Sequence, residues 1–250
     1  GWLLRSASSV KLFGNVDSVT NTPSNSRMPR VRTTAGQYVS RTGPTIDELT
    51  ISKYGRVGKN LYGRLTGGIL ELQYAGVSGE VLWSPVDSRL ALGAELNYVA
   101  LRDPEQSFKL ASMTTPSGTI PHVNGHLSAY YQLNNEFDAT VHAGRYLAGD
   151  WGATLELARS FSNGWRVGAF ATKTDVSAQT FGEGSFDKGI FVSIPYTWLL
   201  GTPTQKTGSR IIRPVQRDGG QRVSVNGRLH DLVHREQRSR VADSWGKFWR

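Results

Sequence analysis

The stretch NGHLSAYYQLNNEFDATVHAGRYL, residues 124–147, decides the fold. Apolar or small residues recur at every second position on both sides of Asn134-Asn135-Glu136, which predicts two β-strands joined by a tight turn. The three-residue turn keeps Leu133 and Phe137 on one face of the hairpin. Each strand therefore has one apolar face and one face of polar or small residues.

The same period of two continues before and after this hairpin. It predicts strands over residues 89–101, 124–133, 136–147, 151–162, 164–175 and 186–198. Ser162-Asn163-Gly164 provides a second three-residue turn, with glycine where a left-handed conformation is required. A turn over residues 86–88 predicts the cross-strand pairs Trp83 with Leu92, Val81 with Ala94 and Glu80 with Glu95.

Two architectures produce this pattern: a soluble sandwich that buries its apolar faces, and a transmembrane barrel that turns them to lipid. Strand length favours the barrel, because membrane strands need about 9 to 11 residues and strands in globular proteins average about 5 or 6. Aromatic residues also gather near the strand ends, as in the aromatic girdles of membrane proteins. We therefore predict an all-β antiparallel outer-membrane β-barrel of about 10–12 long strands, complete or part of a larger barrel, with a C-terminal helix.

Composition excludes several classes. The 250-residue chain has no cysteine, so disulfides, zinc–thiolate sites, iron–sulfur clusters and cysteine nucleophiles are excluded. No stretch reaches the roughly 20 apolar residues of a transmembrane helix. The net charge is +9, but 11 basic and only 4 acidic residues lie within residues 201–250. Since this excess is not spread over a folded face with aromatic residues, nucleic acid is not expected as a partner.

Three regions differ in composition. Residues 1–60 form a polar lead-in, in which residues 14–47 read as a long loop or a poorly ordered segment and any first strands are weakly marked. Residues 61–227 carry the barrel strands, and residues 228–250 form a basic segment with helical character. We expect that segment to plug the lumen, dock a partner or contact an anionic polymer.

Glu80 and Glu95 form the best carboxylate pair. Opposed across a hairpin, they fit glycoside hydrolysis, which uses two carboxyl groups roughly 5 to 10 Å apart. The other interpretation, which we favour, is a lumenal charge pair balanced by an arginine such as Arg64 or Arg166, since like charges directly opposite are unfavourable.

The polar face supplies further candidates for a glycan path, with aromatic rings as platforms and charges as hydrogen-bond partners. Together with the carboxylate pair, these candidates are Glu80, Glu95, Tyr130, His142, Tyr146, Glu156, Arg166 and Phe170. The glycine-rich stretch from Phe181 to Gly189 reads as a tight loop between strands, and its candidates for contact with sugar hydroxyls are Glu183, Asp187 and Lys188.

Two histidine pairs have the four-residue spacing seen in some metal sites: His122 with His126, and His230 with His234. The first pair lies on a strand, where four residues span about 13 Å. No third ligand is evident for the second pair. We expect neither a metal nor another cofactor.

Four strings are similar to the YjbH-type exopolysaccharide-biosynthesis outer-membrane proteins. They are HVNGHLSAYY (122–131), GRYLAGDWGAT (144–154), FGEGSFDKG (181–189) and RDGGQR (217–222), and the similarity extends roughly from Leu61 to Leu232. Family members are longer than 250 residues, so the resemblance implies a C-terminal fragment or a shortened member. It also implies an outer-membrane β-barrel that helps secrete exopolysaccharide or capsule, and it brings no catalytic residues.

We therefore expect a non-enzymatic protein of the bacterial outer membrane. Its expected partners are outer-membrane lipid, the secreted polysaccharide and components of a periplasmic export machinery. The alternatives are a polysaccharide-modifying hydrolase that uses Glu80 and Glu95, and a soluble periplasmic β-sandwich that acts as a scaffold or glycan binder.

Overall fold

The computed structural model describes residues 1–10, 24–39, 43–105, 108–182, 184–196, 207–213 and 218–235. Thirteen strands and three helices lie within them. The strands are β1 Trp2–Ser9, β2 Thr45–Gly58, β3 Leu61–Ile69, β4 Tyr74–Trp83, β5 Leu90–Leu101, β6 Thr114–Thr115, β7 Gly118–Thr119, β8 Val123–Gln132, β9 Phe137–Arg145, β10 Trp151–Ser160, β11 Arg166–Thr174, β12 Asp187–Pro195 and β13 Thr207–Ile212. The helices are α1 Gly36–Val39, α2 Ala178–Phe181 and α3 Leu229–Arg235.

Eleven of the strands form one sheet in chain order, while β6 and β7 make a small separate hairpin. All neighbouring strands of the large sheet are antiparallel, which confirms the predicted all-β antiparallel class. The sheet is open in the described residues, because no backbone pairing joins β1 to β13.

The predicted hairpins are present. Glu80 lies opposite Glu95 and Trp83 opposite Leu92, in the register that the turn over residues 86–88 predicts. The amide of Leu133 donates to the carbonyl of Phe137 (2.9 Å), which closes the turn at Asn134-Asn135-Glu136. Gly164 has a φ of 90° in the next turn, a conformation that favours glycine.

The two faces of the sheet are unlike. One face, called the outward face here, exposes large apolar side chains such as Leu96 and Leu127, which are 64% and 69% accessible. The other, the inward face, buries polar and charged side chains, among them Arg64 and His126. A soluble domain arranges these faces the other way round, with the apolar face buried.

The two ends of the sheet also differ. Short turns connect the strands at one end, at residues 59–60, 84–89, 133–136 and 161–165. The connections at the other end, which include the long ones between β1 and β2 and between β5 and β8, pack into an apolar cluster that includes Met28, Val31, Ile120, Leu147 and Phe181. This cluster caps the inward face at the end with the long connections.

The lead-in is more ordered than its polar composition predicts. It contains β1 and β2, and Met28, Val31 and Tyr38 are almost fully buried in or near the cap. The Asp218 carboxylate accepts the backbone N–H groups of residues 31, 32 and 33, at 2.7 to 3.0 Å. Residues 24–35 contain no regular strand or helix, as the long-loop prediction states, but they are packed rather than poorly ordered. The loop prediction was wrong for α1 and the start of β2, and residues 11–23 and 40–42 lie outside the described part.

Residues 218–235, called the interior segment here, lie against the inward face. The segment has no regular secondary structure as far as Arg228 and continues as α3, which packs on β3 and β4. Its first residues are held by the cap, since Gly220 donates its N–H to the Asp150 carboxylate at 2.8 Å. The predicted C-terminal helix is present over Leu229–Arg235, and residues 236–250 lie outside the described part.

The described helices were also considered as membrane spans. Each is short, and none within the described residues combines the length and apolar character needed to cross a bilayer.

Candidate functional site

The inward face carries its densest charge cluster where β3, β4 and β5 run side by side. Antiparallel register brings Arg64, Glu80 and Glu95 into one row. Arg64 donates to Glu80 (Nε to Oε2, 2.8 Å) and contacts Glu95 at 3.5 Å, and its side chain is fully buried. The predicted pairing of the two carboxylates with an arginine is therefore present, and the arginine is Arg64.

The interior segment supplies the remaining hydrogen-bond partners of this cluster. Arg228 donates to both oxygens of Glu95, through Nε at 2.7 Å and Nη2 at 3.0 Å. The N–H of Leu229, at the start of α3, donates to the Glu80 carboxylate at 3.0 Å. Contact with Glu95 raises the pKa of the Arg228 guanidinium despite its burial, so this arginine stays charged. A charge-assisted latch therefore holds the interior segment to the sheet.

A second charge cluster lies farther along the same face, on β9, β10 and β11. Arg166 donates to Asp138 at 2.6 Å and to Glu156 at 3.2 Å. The Arg166 guanidinium also lies over the Phe191 ring, 4.9 Å from its centre. Arg166 is thus the partner of a different carboxylate pair, not of Glu80 and Glu95.

Aromatic and histidine rings form the inward wall between the two clusters. The Tyr130 ring stacks on His230 of α3, with ring centres 3.6 Å apart and planes within 6°. His142 shares a hydrogen bond with Ser128 (2.7 Å), and the Tyr146 hydroxyl shares one with Thr154 (2.7 Å). The side chains named here give this wall hydroxyl groups and ring nitrogens but no carboxylate.

The sequence-predicted candidates on the polar face share this inward orientation. The structure places Glu80, Glu95, Tyr130, His142, Glu156, Arg166 and Phe170 on inward strand positions and Tyr146 just beyond β9, also buried. Seven of these eight residues form the three groups described above rather than one continuous row. Phe170 lies in a fourth place, under the guanidinium of Arg213 at 4.9 Å.

The loop candidates are separated. Asp187 opens β12 and is 1% exposed, bound to Arg213 and to the Gln221 side chain. Lys188 is exposed, and its ammonium lies 4.7 Å from the centre of the Phe186 ring. Glu183 lies outside the described residues. The structure therefore assigns Asp187 to the attachment of the interior segment.

The histidine pairs are not gathered into a metal site. His122 stacks on Tyr98 and His126 meets the edge of Tyr146, so the two imidazole rings contact different neighbours. His230 and His234 stack on each other, with ring centres 5.1 Å apart. The described part of the chain brings no three metal-ligating side chains together.

Sequence reasoning missed two arginines of the interior segment. Arg228 was placed only in a basic segment, and Arg222 was not singled out, yet both lie beside Glu95. A signal was available in part: buried carboxylates at inward positions require cationic partners, and Arg222 belongs to the RDGGQR string. The sequence alone could not show that this string folds back onto the sheet.

The fold and the site together define a class: an all-β protein whose antiparallel sheet exposes apolar side chains on one face and buries ion-paired side chains on the other. Within it, the chain belongs to the YjbH family, whose model is described as exopolysaccharide biosynthesis protein YbjH and matches residues 1–235. The match extends beyond the span from Leu61 to Leu232 that the resemblance indicated, because it includes the lead-in.

A curated relative supports this membership. The uncharacterized lipoprotein YjbH of Escherichia coli (strain K12) is 38% identical over 228 residues. The alignment covers 90% of this chain and 32% of the relative, so the chain spans about a third of that protein's length. No solved structure matches the chain.

Proposed function

We propose that the chain forms the strands of an outer-membrane β-barrel that assists the export of an exopolysaccharide and performs no covalent chemistry. The observation that carries this proposal is the inverted sheet, with its apolar side chains outward and its charged side chains inward. Membership in an exopolysaccharide biosynthesis family supports the substrate class.

The outward face is suited to lipid. A groove of about 940 Å³ opens on it, lined by apolar side chains such as Leu65, Val81, Leu96 and Leu127. Exposing a leucine to water forfeits about 1.5–3 kcal/mol relative to burying it. Many such side chains on one face are therefore costly in water and favourable in a bilayer.

Closure of the sheet is part of the proposal. In hydrocarbon, the unpaired backbone groups of an open edge are too costly, so β1 and β13 require partners. Eleven antiparallel strands leave β1 and β13 running in the same direction. Antiparallel closure therefore needs an odd number of further strands between these two edges.

The inward face supports a path rather than an active site. The side chains of Glu80 and Glu95 are each 4% exposed and engaged by Arg64, Arg228 and α3. A glycosidase needs one carboxyl group to protonate the leaving group and another to reach the sugar. This arrangement disfavours the hydrolase alternative and leaves the polar interior to hold and guide a glycan.

The proposal is tested by placing a charge on the outward face. We expect Leu127→Lys and Leu96→Lys each to cost about 2–4 kcal/mol in a membrane and to reduce the folded protein recovered with outer membranes. Val86→Lys, in an exposed turn, is the matched control and should not change recovery. Lysine variants that fold normally and remain in the detergent-free periplasmic extract would establish the soluble sandwich instead.

The non-enzymatic role is tested on the polymer. Cells that lack the protein should secrete less polysaccharide of unchanged chain length, measured by size-exclusion chromatography. A changed chain length with an unchanged secreted amount would support the hydrolase.

A further inference from the structure

Arg222 of the interior segment stands out among the buried cations. Its side chain is only 19% exposed, and its nearest acidic contact is Glu95 Oε1 at 3.8 Å. Within the described residues its Nε finds no hydrogen-bond partner. A guanidinium carries five N–H donors, so this arginine retains most of its binding capacity.

The charges around Arg222 do not balance. Arg64, Arg222 and Arg228 face Glu80 and Glu95, which leaves one positive charge in excess in this cluster. Glu95 already receives Arg228 through two hydrogen bonds, so Arg222 is the surplus cation. Burial and the neighbouring Arg228 lower the pKa of the Arg222 guanidinium, as expected where compensation is incomplete.

Other polar groups beside Arg222 are also unsatisfied. Neither ring nitrogen of His126 has a hydrogen-bond partner in the described part of the chain, although His126 is 3% exposed. His126 lies opposite Glu95, the residue that Arg222 contacts. Asn124, two residues earlier on the same inward face and 1% exposed, has a side-chain Nδ2 without a partner. Buried polar groups left unpaired call for a ligand or ordered water.

Aromatic side chains lie beside these unpaired groups. The Tyr146 ring meets the His126 ring with centres 4.6 Å apart, and the Tyr130 ring stacks on His230 of the interior segment. Gly144 lies opposite His126, and a Cβ there would approach the Gly125 carbonyl to 2.1 Å. Aromatic rings beside an incompletely paired guanidinium suit an acidic sugar better than a neutral one. The planar guanidinium can bind a carboxylate through two parallel hydrogen bonds.

We propose that Arg222, together with His126 and Asn124, binds an oxyanion between the interior segment and β8. The shared chemistry is a carboxylate or phosphate group that neutralises the surplus cation and accepts the unpaired N–H groups. Two sources supply it: the acidic sugars of a polysaccharide, which rests on the proposed function, and free inorganic phosphate, which does not.

The test is ligand binding to the purified full chain in detergent, followed by isothermal titration calorimetry at low salt. The probes are an oligogalacturonate, a neutral maltooligosaccharide of similar length and inorganic phosphate. We expect Arg222→Gln to weaken oligogalacturonate binding about 10- to 100-fold, the loss that follows from deleting a charged hydrogen-bond partner. Arg56→Gln, which makes the same charge change at an exposed arginine of β2, should leave binding unchanged.

Each outcome decides something. Binding of both acidic probes, with competition between them, supports an oxyanion site open to the glycan, and binding of phosphate alone supports the site but assigns it to a small anion. Equal binding by Arg222→Gln and the unaltered protein, or no binding of either acidic probe by the unaltered protein, overturns the proposal. If Arg222→Gln does not fold, Arg222→Lys retains the charge but loses the planar fork, and should bind more weakly than the unaltered protein. Membrane recovery is measured separately, so a soluble protein that still binds the probes would refute the barrel and keep the site.

Discussion

Two charge clusters on one sheet face are built from the same chemistry and differ in burial. In the first, Arg64 and Arg228 hold Glu80 and Glu95 with closest contacts of 2.8 and 2.7 Å. In the second, Arg166 holds Asp138 and Glu156 with comparable contacts of 2.6 and 3.2 Å. Distance alone therefore does not distinguish the clusters.

The difference lies in what covers them. The side chains of Arg64, Glu80 and Glu95 are 0%, 4% and 4% exposed, because the interior segment lies over them. The side chain of Arg166 is 34% exposed. Solvent screens a partly exposed pair, whereas breaking a buried pair leaves an uncompensated charge. The comparison predicts that loss of the central arginine reduces stability more in the first cluster than in the second.

The largest effect is expected for Arg64→Met. It leaves buried Glu80 without its arginine partner and removes the hydrogen bonds to Thr66 and Ser78, so we expect a loss of about 3–5 kcal/mol of unfolding free energy. Denaturant unfolding of the purified protein measures this. Arg56→Met, at an exposed position of β2, is the control and should change the free energy of unfolding by less than about 0.5 kcal/mol. A loss below about 1 kcal/mol for Arg64→Met would mean that the cluster is not buried in solution.

The next effect is expected for Arg228→Gln, which releases the latch but leaves Arg64 in place. We expect a loss of about 2–3 kcal/mol, moderated because the Arg228 side chain is 20% exposed. Amide hydrogen exchange should rise in residues 223–235 while β4 and β5 stay protected. Unchanged exchange in the interior segment would show that the cap, not the latch, holds it.

The strands of the sheet could be predicted from the two-residue period of the sequence, whereas the two charge clusters could be predicted only in part. The alternation around Leu127 and Val141 fixes strands and faces, so the Glu80–Glu95 pair could be predicted from a turn and a register. The choice of Arg64 rather than Arg166 as their partner requires a second register, that of β3 on β4, which the sequence analysis did not predict. Which carboxylates Arg166 pairs with could not be predicted, because that requires the order of β9, β10 and β11.

The interior segment could not be derived from periodicity. The part before α3 has neither helical nor strand period, and it is held by contacts with residues far away in the sequence, such as Asp218 with residues 31–33 and Arg228 with Glu95. The burial of Met28 and Val31 was hidden for the same reason: their neighbours are polar, and their partners lie in distant loops.

Acidification should loosen the covering helix that separates the two clusters. Burial, with His234 and Arg166 nearby, lowers the pKa of His230 from 6.5 to about 3. The folded state therefore favours neutral His230, and stability present above pH 6.5 is lost as the pH falls from 6.5 towards 3. The loss is at most about 1.4 kcal/mol per pH unit in that window.

His230→Phe tests this loss, because it keeps a ring against Tyr130 and removes the titration. Hydrogen exchange of α3 at pH 7.0 and 5.5 is the measurement. The unaltered protein should show faster exchange at pH 5.5, corrected for intrinsic rates, and the variant should show a smaller change. Equal pH dependence in both proteins would assign the effect to other groups.

The smallest effect is expected for Arg166→Gln, the counterpart of Arg64→Met in the exposed cluster. Its ion pairs are partly solvated, so we expect a loss of about 0.5–1 kcal/mol that shrinks further at high salt. The stability loss of the Arg64 variant should depend little on salt, since the surrounding protein keeps dissolved ions away from the buried carboxylates. The measurement is denaturant unfolding of both variants at low and high sodium chloride. An Arg166→Gln loss as large as that of Arg64→Met would mean that a covering element lies over the second cluster too, and the contrast between the clusters would then disappear.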